Sequence, residues 1–407
     1  MNAPIDLLLV GIGGYGNNFV RPLLDAPPDA GVRIVGCVDP MPSRCTRLSC
    51  LLERQIPIYG SIEAFFADRR ADLAIIATPI HLHARHSITV VQNGGHVLCE
   101  KPLCTTPFEA DDMLAAENRF GKQIAIGYQW SFSRTIQDFK RDVLAGRFGR
   151  PLRLRTLVLW PRDESYYHRN HWAGVRQDSQ GHWVLDSPVN NACAHHLHNM
   201  LYVLGDRIDR SAEPAELQAE LYRAHPIDNY DTAALRCITR CGAELLFVVS
   251  HATNGLYGPA LEYEFEHATA EFIDLPEARW IVRTRDGQII DYGSPMEPRD
   301  RKMWLTIDAI REQTPTVCGI PAALPHTQCV WAAQQSVEEI ATFPPALVHT
   351  AGDPGERRTW VDGLHDTLQQ CFHGWRLPSE MNVPWARAGR EIRIAGAEAP
   401  LAISASA

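Results

Sequence analysis

The feature that most restricts what this chain can become is Gly11-Ile12-Gly13-Gly14-Tyr15-Gly16, set directly after the apolar stretch Leu7 to Val10 and directly before a helix-like segment, Asn17 to Leu24. In a G-x-G-x-x-G turn the first glycine permits a tight bend, the second lets backbone approach a pyrophosphate, and the third lets helix pack closely on strand. Unpaired N–H groups at the start of the following helix then face the phosphates. Asp39 closes the next apolar run, Arg33 to Val38, where a carboxylate accepts hydrogen bonds from ribose hydroxyls and repels a 2′-phosphate. Gly11, Gly13, Gly14, Tyr15, Gly16 and Asp39 are therefore expected to hold NAD, while nearby Arg44 leaves NADP open.

The rest of the first third repeats the pattern. Apolar runs at Leu73 to Ala77, Val97 to Cys99 and Gln123 to Gly127 alternate with helix-like segments Ile62 to Asp68, Ala84 to Asn93 and Pro107 to Phe120. Such alternation predicts an α/β, doubly wound parallel sheet over 1–127. After a further helix, Arg134 to Ala145, strand-like segments follow one another: Leu152 to Trp160, Thr232 to Thr239, Glu244 to Ser250 and Leu261 to Phe265. Asp286-Gly287, between Arg279 to Thr284 and Gln288 to Tyr292, predicts a type I′ hairpin. The second domain, 128–387, is expected to be α+β with a largely antiparallel open sheet. Helical periodicity returns at Thr327 to Ala341 and Trp360 to Cys371, and 388–407 is expected to be a mobile tail.

Composition closes off other classes. With 39 basic against 48 acidic residues and a formal charge of −9, the chain lacks the positive excess that neutralises nucleic-acid phosphates. Its apolar runs fall far short of the roughly 20 residues that cross a bilayer, and no secretory signal is visible. A cytoplasmic protein with no membrane or nucleic-acid partner is expected. Eleven scattered cysteines suit buried thiols in a reducing compartment better than a disulfide framework.

In open α/β sheets ligands lie outside the carboxyl ends of the strands. That rule selects Thr78-Pro79 with His83, then Glu100-Lys101, and Tyr128 with Gln129 after the last strand. A lysine beside a cationic ring would have a lowered pKa and could relay a proton. Tyr166 to Trp172 gathers aromatic and polar side chains of the kind that bind sugars, with Arg169, Asn170 and Trp172 leading. Cys193, His195, His196 and His198 lack a further ligand at diagnostic spacing, so no metal is expected.

The glycine turn, Thr78-Pro79 with His83, Gly95-His96-Val97-Leu98-Cys99-Glu100-Lys101-Pro102 and the Gly146 to Pro151 segment together resemble the Gfo/Idh/MocA family of NAD(P)-dependent oxidoreductases, firmly to about residue 205. The resemblance implies action on sugars, cyclitols and their derivatives, with Lys101 contacting substrate near the nicotinamide and a histidine acting as acid/base. Counting back from Gly205 places that histidine at His195. The family's D-x-x-x-H-x-x-D pattern is not kept: Asn191 and His198 stand at the acid positions, while Asp186 lies nine residues before His195. An insertion around Ser187 to Asn191 is implied, with either Asp186 or Asn191 serving His195; Asn191, His195 and His198 are also candidate substrate contacts.

The expected activity is hydride transfer between nicotinamide and a secondary hydroxyl or ketone of a sugar, sugar acid or cyclitol derivative. The alternatives are a redox-neutral enzyme that retains NAD for elimination, hydrolysis or epimerisation, and a non-catalytic dinucleotide sensor. The resemblance implies a homodimer or homotetramer, whereas exposed charge on the outer sheet face would point to a monomer.

Overall fold

The computed structural model describes residues 4–273 and 277–395. Chain contacts divide them into two units: 1–137 with 208–210 and 296–327, and 138–207 with 211–295 and the residues from 328 onward.

The first unit holds six strands, β1 (Ile5–Val10), β2 (Val32–Val38), β3 (Ile58–Tyr59), β4 (Leu73–Ile76), β5 (His96–Cys99) and β6 (Ile124–Ile126), in the order β3-β2-β1-β4-β5-β6. Every pairing is parallel. The order reverses between β1 and β4, which opens the ligand crevice of a doubly wound sheet at their carboxyl ends. Strand interiors such as Leu7, Leu9, Leu73 and Ile75 are buried against Phe19, Val20, Leu23 and Leu51. Helix Arg301–Glu312 seals the same core with Met303 and Ile307. That return of the chain is not anticipated by a boundary at residue 127. It follows from an apolar spacing, Met303, Ile307 and Ile310, that needs a partner surface.

The second unit is built on β7 (Pro151–Leu159), β8 (Pro214–Arg223), β9 (Thr232–Thr239), β10 (Glu244–Ser250), β11 (Tyr257–Phe265), β12 (Ala268–Ile273), β13 (Arg279–Thr284) and β14 (Ile289–Asp291). Their order is β14-β13-β12-β11-β7-β10-β9-β8, with β15 (Ala341–Thr342) beside β8. Pairing is antiparallel except β7 with β10 and β8 with β15. Leu157 and Leu159 of β7 and Leu246 and Val248 of β10 pack with Leu364, Leu368 and Phe372 of helix Leu364–Gly374. Farther along, the alternate residues are charged and paired across strands: Arg153 with Glu264 at 2.9 Å, Arg155 with Glu262, and Arg283 with Glu271 at 3.5 Å.

Several local expectations change. The β13–β14 connection is a three-residue loop: Gly287 N–H bonds Thr284 O at 3.1 Å and only Gly287, at φ +89°, has positive φ. A type I′ turn needs positive φ at both central residues, so this is the type I turn followed by a left-handed glycine. The helix expected over 327–341 runs Ile320–Ser336 instead, with Pro325 inside it. Trp360 belongs to a strand, Arg358–Val361, that Gly363 at φ +70° separates from the following helix. Glu391–Arg393 pairs antiparallel with β8, and Gly389 fits so closely that a Cβ would stand 1.9 Å from Ala219 O. The first part of the expected tail is therefore anchored; residues 396–407 lie outside those described.

Candidate functional site

In the first unit the glycine turn sits at the β1/β4 reversal. A Cβ on Gly16 would lie 2.0 Å from Gly11 O, and one on Gly11 would lie 2.7 Å from Ala77 O. Neither position accepts a side chain, so β1, the turn and helix Asn17–Leu24 stay in close contact. Gly14, at φ +51°, has nothing within 4 Å of where a Cβ would be, which leaves open space over the middle of the turn. Tyr15 is exposed, and the exposed Arg44 backs the turn, its Cβ 2.8 Å from where a Gly13 Cβ would be.

Asp39 does two jobs. Its Oδ2 accepts the N–H groups of Ile12 at 2.9 Å and Gly13 at 3.2 Å, and its Oδ1 accepts that of Met41 at 2.8 Å. A carboxylate offers about four acceptor positions, so one remains for a ribose hydroxyl. Open space over Gly14 and this remaining acceptor fit a dinucleotide.

The later strand ends are less exposed than expected. His83 is buried; its Nδ1 lies 2.7 Å from Pro102 O and its Nε2 3.0 Å from Thr78 O. Burial pushes its pKa down while those two carbonyls pull the other way. It ties the Thr78-Pro79 loop to the Glu100-Lys101-Pro102 loop rather than offering a free nitrogen to a ligand. Glu100 is also buried, in an ion pair with Lys302. Lys302 donates to Gly127 O at 3.1 Å and reaches Tyr15 Oη at 3.3 Å. Burial opposes its charge, but Glu100 and Tyr15 outweigh burial and leave its pKa raised. Sequence reasoning missed Lys302, although it precedes the apolar Met303–Ile307–Ile310 series. Lys101 itself is half-buried and its N–H bonds Glu100 Oε2 at 3.3 Å. Tyr128 is fully buried with its hydroxyl 2.9 Å from His326 Nδ1, which removes it as a substrate contact; Gln129, next to it, is half-buried.

In the second unit Asp186 and Asn191 meet each other. Asn191 Nδ2 donates to Asp186 Oδ1 at 2.7 Å, Gly174 N–H donates to Oδ2 at 2.7 Å, and Arg169 Nη2 stands 3.5 Å from Oδ2. The choice between the two residues dissolves into a pair. Pro188–Ala192 forms a π-helical turn, closed by Cys193 N–H to Pro188 O at 2.8 Å and capped by Ser187 Oγ on Asn190 N–H at 3.1 Å. A π turn takes up an additional residue and is frequent at functional sites; here it lies inside the stretch that separates Asp186 from His195. Leu185, fully buried next to Asp186, holds φ +52°, a conformation costly for a branched side chain.

His195 is half-buried in the first turn of helix Ala194–Val203, whereas His196 and His198 are buried. His196 packs edge-on to Trp160 with ring centroids 5.6 Å apart, and burial pushes its pKa down to about 3. His198 stacks on Tyr202, so it serves the helix interior rather than a substrate. Arg169 covers the Tyr166 ring at 3.8 Å and lies 5.3 Å from Trp172; Asn170 Oδ1 accepts Trp172 N–H at 3.1 Å. Among the described residues no cluster of three or more His, Cys, Asp or Glu side chains could hold a metal, and no helix is long and apolar enough to cross a membrane. None of the eleven cysteines forms a disulfide, and nine of them are buried.

Residues 5–128 match the family described as an oxidoreductase family with an NAD-binding Rossmann fold, GFO_IDH_MocA. The chain is 29% identical over 141 residues, 35% of each chain, to a 1-carboxy-3-chloro-3,4-dihydroxycyclohexa-1,5-diene dehydrogenase of Comamonas testosteroni. It is 29% identical over 191 residues to inositol 2-dehydrogenase 1 of Saccharopolyspora erythraea, covering 46% of this chain and 56% of that one. The matches thus span between about a third and somewhat over half of those relatives. An Agrobacterium radiobacter oxidoreductase, solved with NAD+, L-tartaric acid and magnesium, shares the fold with a TM-score of 0.67 at 19% identity, over 82% of this chain and 96% of its own. The glycine turn at the β1/β4 reversal and the Asp39 carboxylate beneath it both lie within residues 5–128, the part of the chain that matches the NAD-binding Rossmann fold of the Gfo/Idh/MocA oxidoreductase family.

Proposed function

We propose that the protein is an NAD-dependent dehydrogenase that interconverts a secondary hydroxyl and a ketone on a sugar, sugar acid or cyclitol. The observation that carries the reading is the glycine turn with open space over Gly14 and an Asp39 carboxylate that keeps one acceptor position. When bound, NAD supplies the hydride acceptor. The chain supplies proton handling and alignment: His195 takes the hydroxyl proton, and Lys101 hydrogen-bonds the oxygen that gives it up. Asp186 holds Asn191 and the Gly174 backbone in place ahead of His195, and Arg169, Asn170 and Trp172 contact substrate. Arg44 would meet a 2′-phosphate were NADP bound, but Asp39 opposes that phosphate and favours NAD.

A cytoplasmic location accords with the charge balance and with cysteines that form no disulfide. Assembly as a dimer or tetramer is supported by family resemblance alone. The charged outer face around Glu262, Glu264, Glu271 and Arg283 favours a monomer, and light scattering on the purified chain decides between them.

The test is absorbance at 340 nm with NAD+ or NADP+ over a panel of sugars, sugar acids and inositols. Net reduction of NAD+ is expected. Turnover without net absorbance change would indicate redox-neutral chemistry, and dinucleotide binding without any turnover would indicate a sensor. Lys101→Met and His195→Ala should each lower kcat about 100-fold or more, in the range of general acid–base catalysis, with little change in NAD affinity. Full activity in either variant removes that residue from the mechanism.

A further inference from the structure

We infer that the second unit carries a seat for an anionic group on the substrate, built around Arg162, a residue to which the sequence drew no attention. The inference rests on the dehydrogenase reading for the word substrate, and on the following geometry for the seat itself.

β7 and β10 run parallel and continue side by side past their ends: Trp160 N–H bonds Ser250 O at 2.9 Å and Arg162 N–H bonds His251 O at 3.1 Å. Arg162 and His251 therefore emerge together at the carboxyl ends of neighbouring strands. The Arg162 guanidinium lies 4.8 Å from the Tyr166 ring centroid and 5.8 Å from that of Trp160. Arg169 approaches Tyr166 as well, at 3.8 Å. Stacking on rings satisfies the faces of a guanidinium and leaves the N–H donors in its plane unused. Among the described residues no hydrogen bond or ion pair is made by the Arg162 side chain, and its Nε is buried without a partner.

The surrounding carboxylates are already committed. Asp231 Oδ2 accepts Ala224 N–H at 2.8 Å, His225 N–H at 2.7 Å and His225 Nδ1 at 2.8 Å, while its Oδ1 accepts Thr232 Oγ1 at 3.0 Å. Asp186 is shared by Gly174, Asn191 and Arg169. Asp163 caps Tyr166 N–H and accepts Ser165 Oγ, and Glu164 bonds Gly355 N–H. None of them hydrogen-bonds the Arg162 side chain.

A second group points to a ligand independently. His251 is 1% exposed; its Nδ1 meets Tyr167 Oη at 3.1 Å, and its Nε2 is buried with no hydrogen-bond partner. Its ring lies edge-on to Tyr166 at 5.4 Å, the same ring that both arginines cover. Arg169, half-buried Arg162 and buried His251 thus converge on Tyr166, and Arg162 Nε and His251 Nε2 keep unused hydrogen-bonding capacity. A planar guanidinium with two free N–H groups matches a carboxylate or a phosphate in a bidentate pair. The substrate class this selects is a polyhydroxylated ring or chain bearing one such anion, with neutral sugars and inositols as weak substrates.

Calorimetric titration of the full chain with matched probes tests the seat without requiring turnover: D-glucuronate and D-galacturonate, D-glucose 6-phosphate, and their neutral partners D-glucose and D-galactose. At least one anionic probe should bind about 10- to 100-fold more tightly than its neutral partner, the range for hydrogen bonds to a charged group. Carboxylate and phosphate arms identify which anion is preferred. Arg162→Met, which keeps the stem stacked on the rings, should abolish that preference while neutral-sugar binding and the unfolding midpoint stay unchanged; Arg162→Lys should restore part of it. If no anionic probe binds better than its neutral partner, or if the preference survives in Arg162→Met, the seat is refuted. An anion held through Arg162 without nicotinamide reduction at 340 nm would refute the dehydrogenase reading and leave the seat standing.

Discussion

Asp186 shows how one buried carboxylate can organise a site. Both its oxygens are acceptors for fixed donors, Gly174 N–H and Asn191 Nδ2, and burial means that neither bond can be exchanged for water. In Asp186→Asn one oxygen becomes an NH2 that must face one of those donors. A buried pair of opposed donors costs about 1–3 kcal/mol, so the urea midpoint should fall accordingly. Because Asn191 stands four residues before His195, kcat should drop further than KM changes; an unaltered kcat would make the Asp186–Asn191 pair structural only. The sequence left Asp186 and Asn191 as alternatives because residue counting assumes a regular helix. A π turn over Pro188–Ala192 breaks that assumption, and its trace in sequence is no more than a proline and two asparagines. Tyr128 and His83 illustrate the opposite limit. Their chain positions at strand ends were legible, but whether a side chain turns outward or into a carbonyl is decided by residues far away, such as His326 and Pro102.

Elements were legible where capping chemistry marks both ends. Pro107–Phe120 begins at Thr106, whose side chain and Glu109 exchange the two bonds of a capping box, and stops at Gly121 in the left-handed region; each signal can be read from residue type. Ser61 marks the start of Ile62–Asp68 by accepting Ala64 N–H. Leu48–Glu53, which starts at Arg47 without a side-chain cap, carries no such mark and was missed. The helix Arg301–Glu312 was missed for another reason: its periodicity is visible, but its attachment to the first unit depends on Lys302 meeting Glu100. Removing one member of a buried ion pair leaves the other uncompensated, at a cost of about 3–5 kcal/mol. Lys302→Met should therefore destabilise the chain by that amount in chemical denaturation, and Glu100→Gln with Lys302→Met should recover much of it. A single variant as stable as the parent would show that the pair contributes nothing.

At the scale of the whole molecule, acid should be destabilising well above the carboxylate range. Burial lowers His196 to about 3 and His86 and His96 to about 4, and it puts His251 well below its ordinary value. A histidine held neutral in the fold gains its proton more readily when unfolded, so its stabilising effect is complete above pH 6.5 and is lost as pH falls from there toward its folded value. For a fully buried histidine such as His196 the loss is about 2 kcal/mol at pH 5. Urea midpoints should fall between pH 7 and pH 5, and His196→Asn should reduce that dependence; a flat profile would contradict the burial of these rings.

The two units carry different evidence, the cofactor half of the reading resting on the glycine turn and Asp39, and the substrate half on Asp186, Asn191 and the ring-stacked arginines. The cofactor half is the foundation, and equilibrium titration of the purified chain with NAD+ and with NADP+ tests it most directly. Saturable binding of one NAD+ per chain is predicted, about tenfold or more tighter than NADP+, with the preference reduced in Asp39→Ala. Failure to bind either dinucleotide, or equal affinity for both that Asp39→Ala leaves unchanged, would contradict the account.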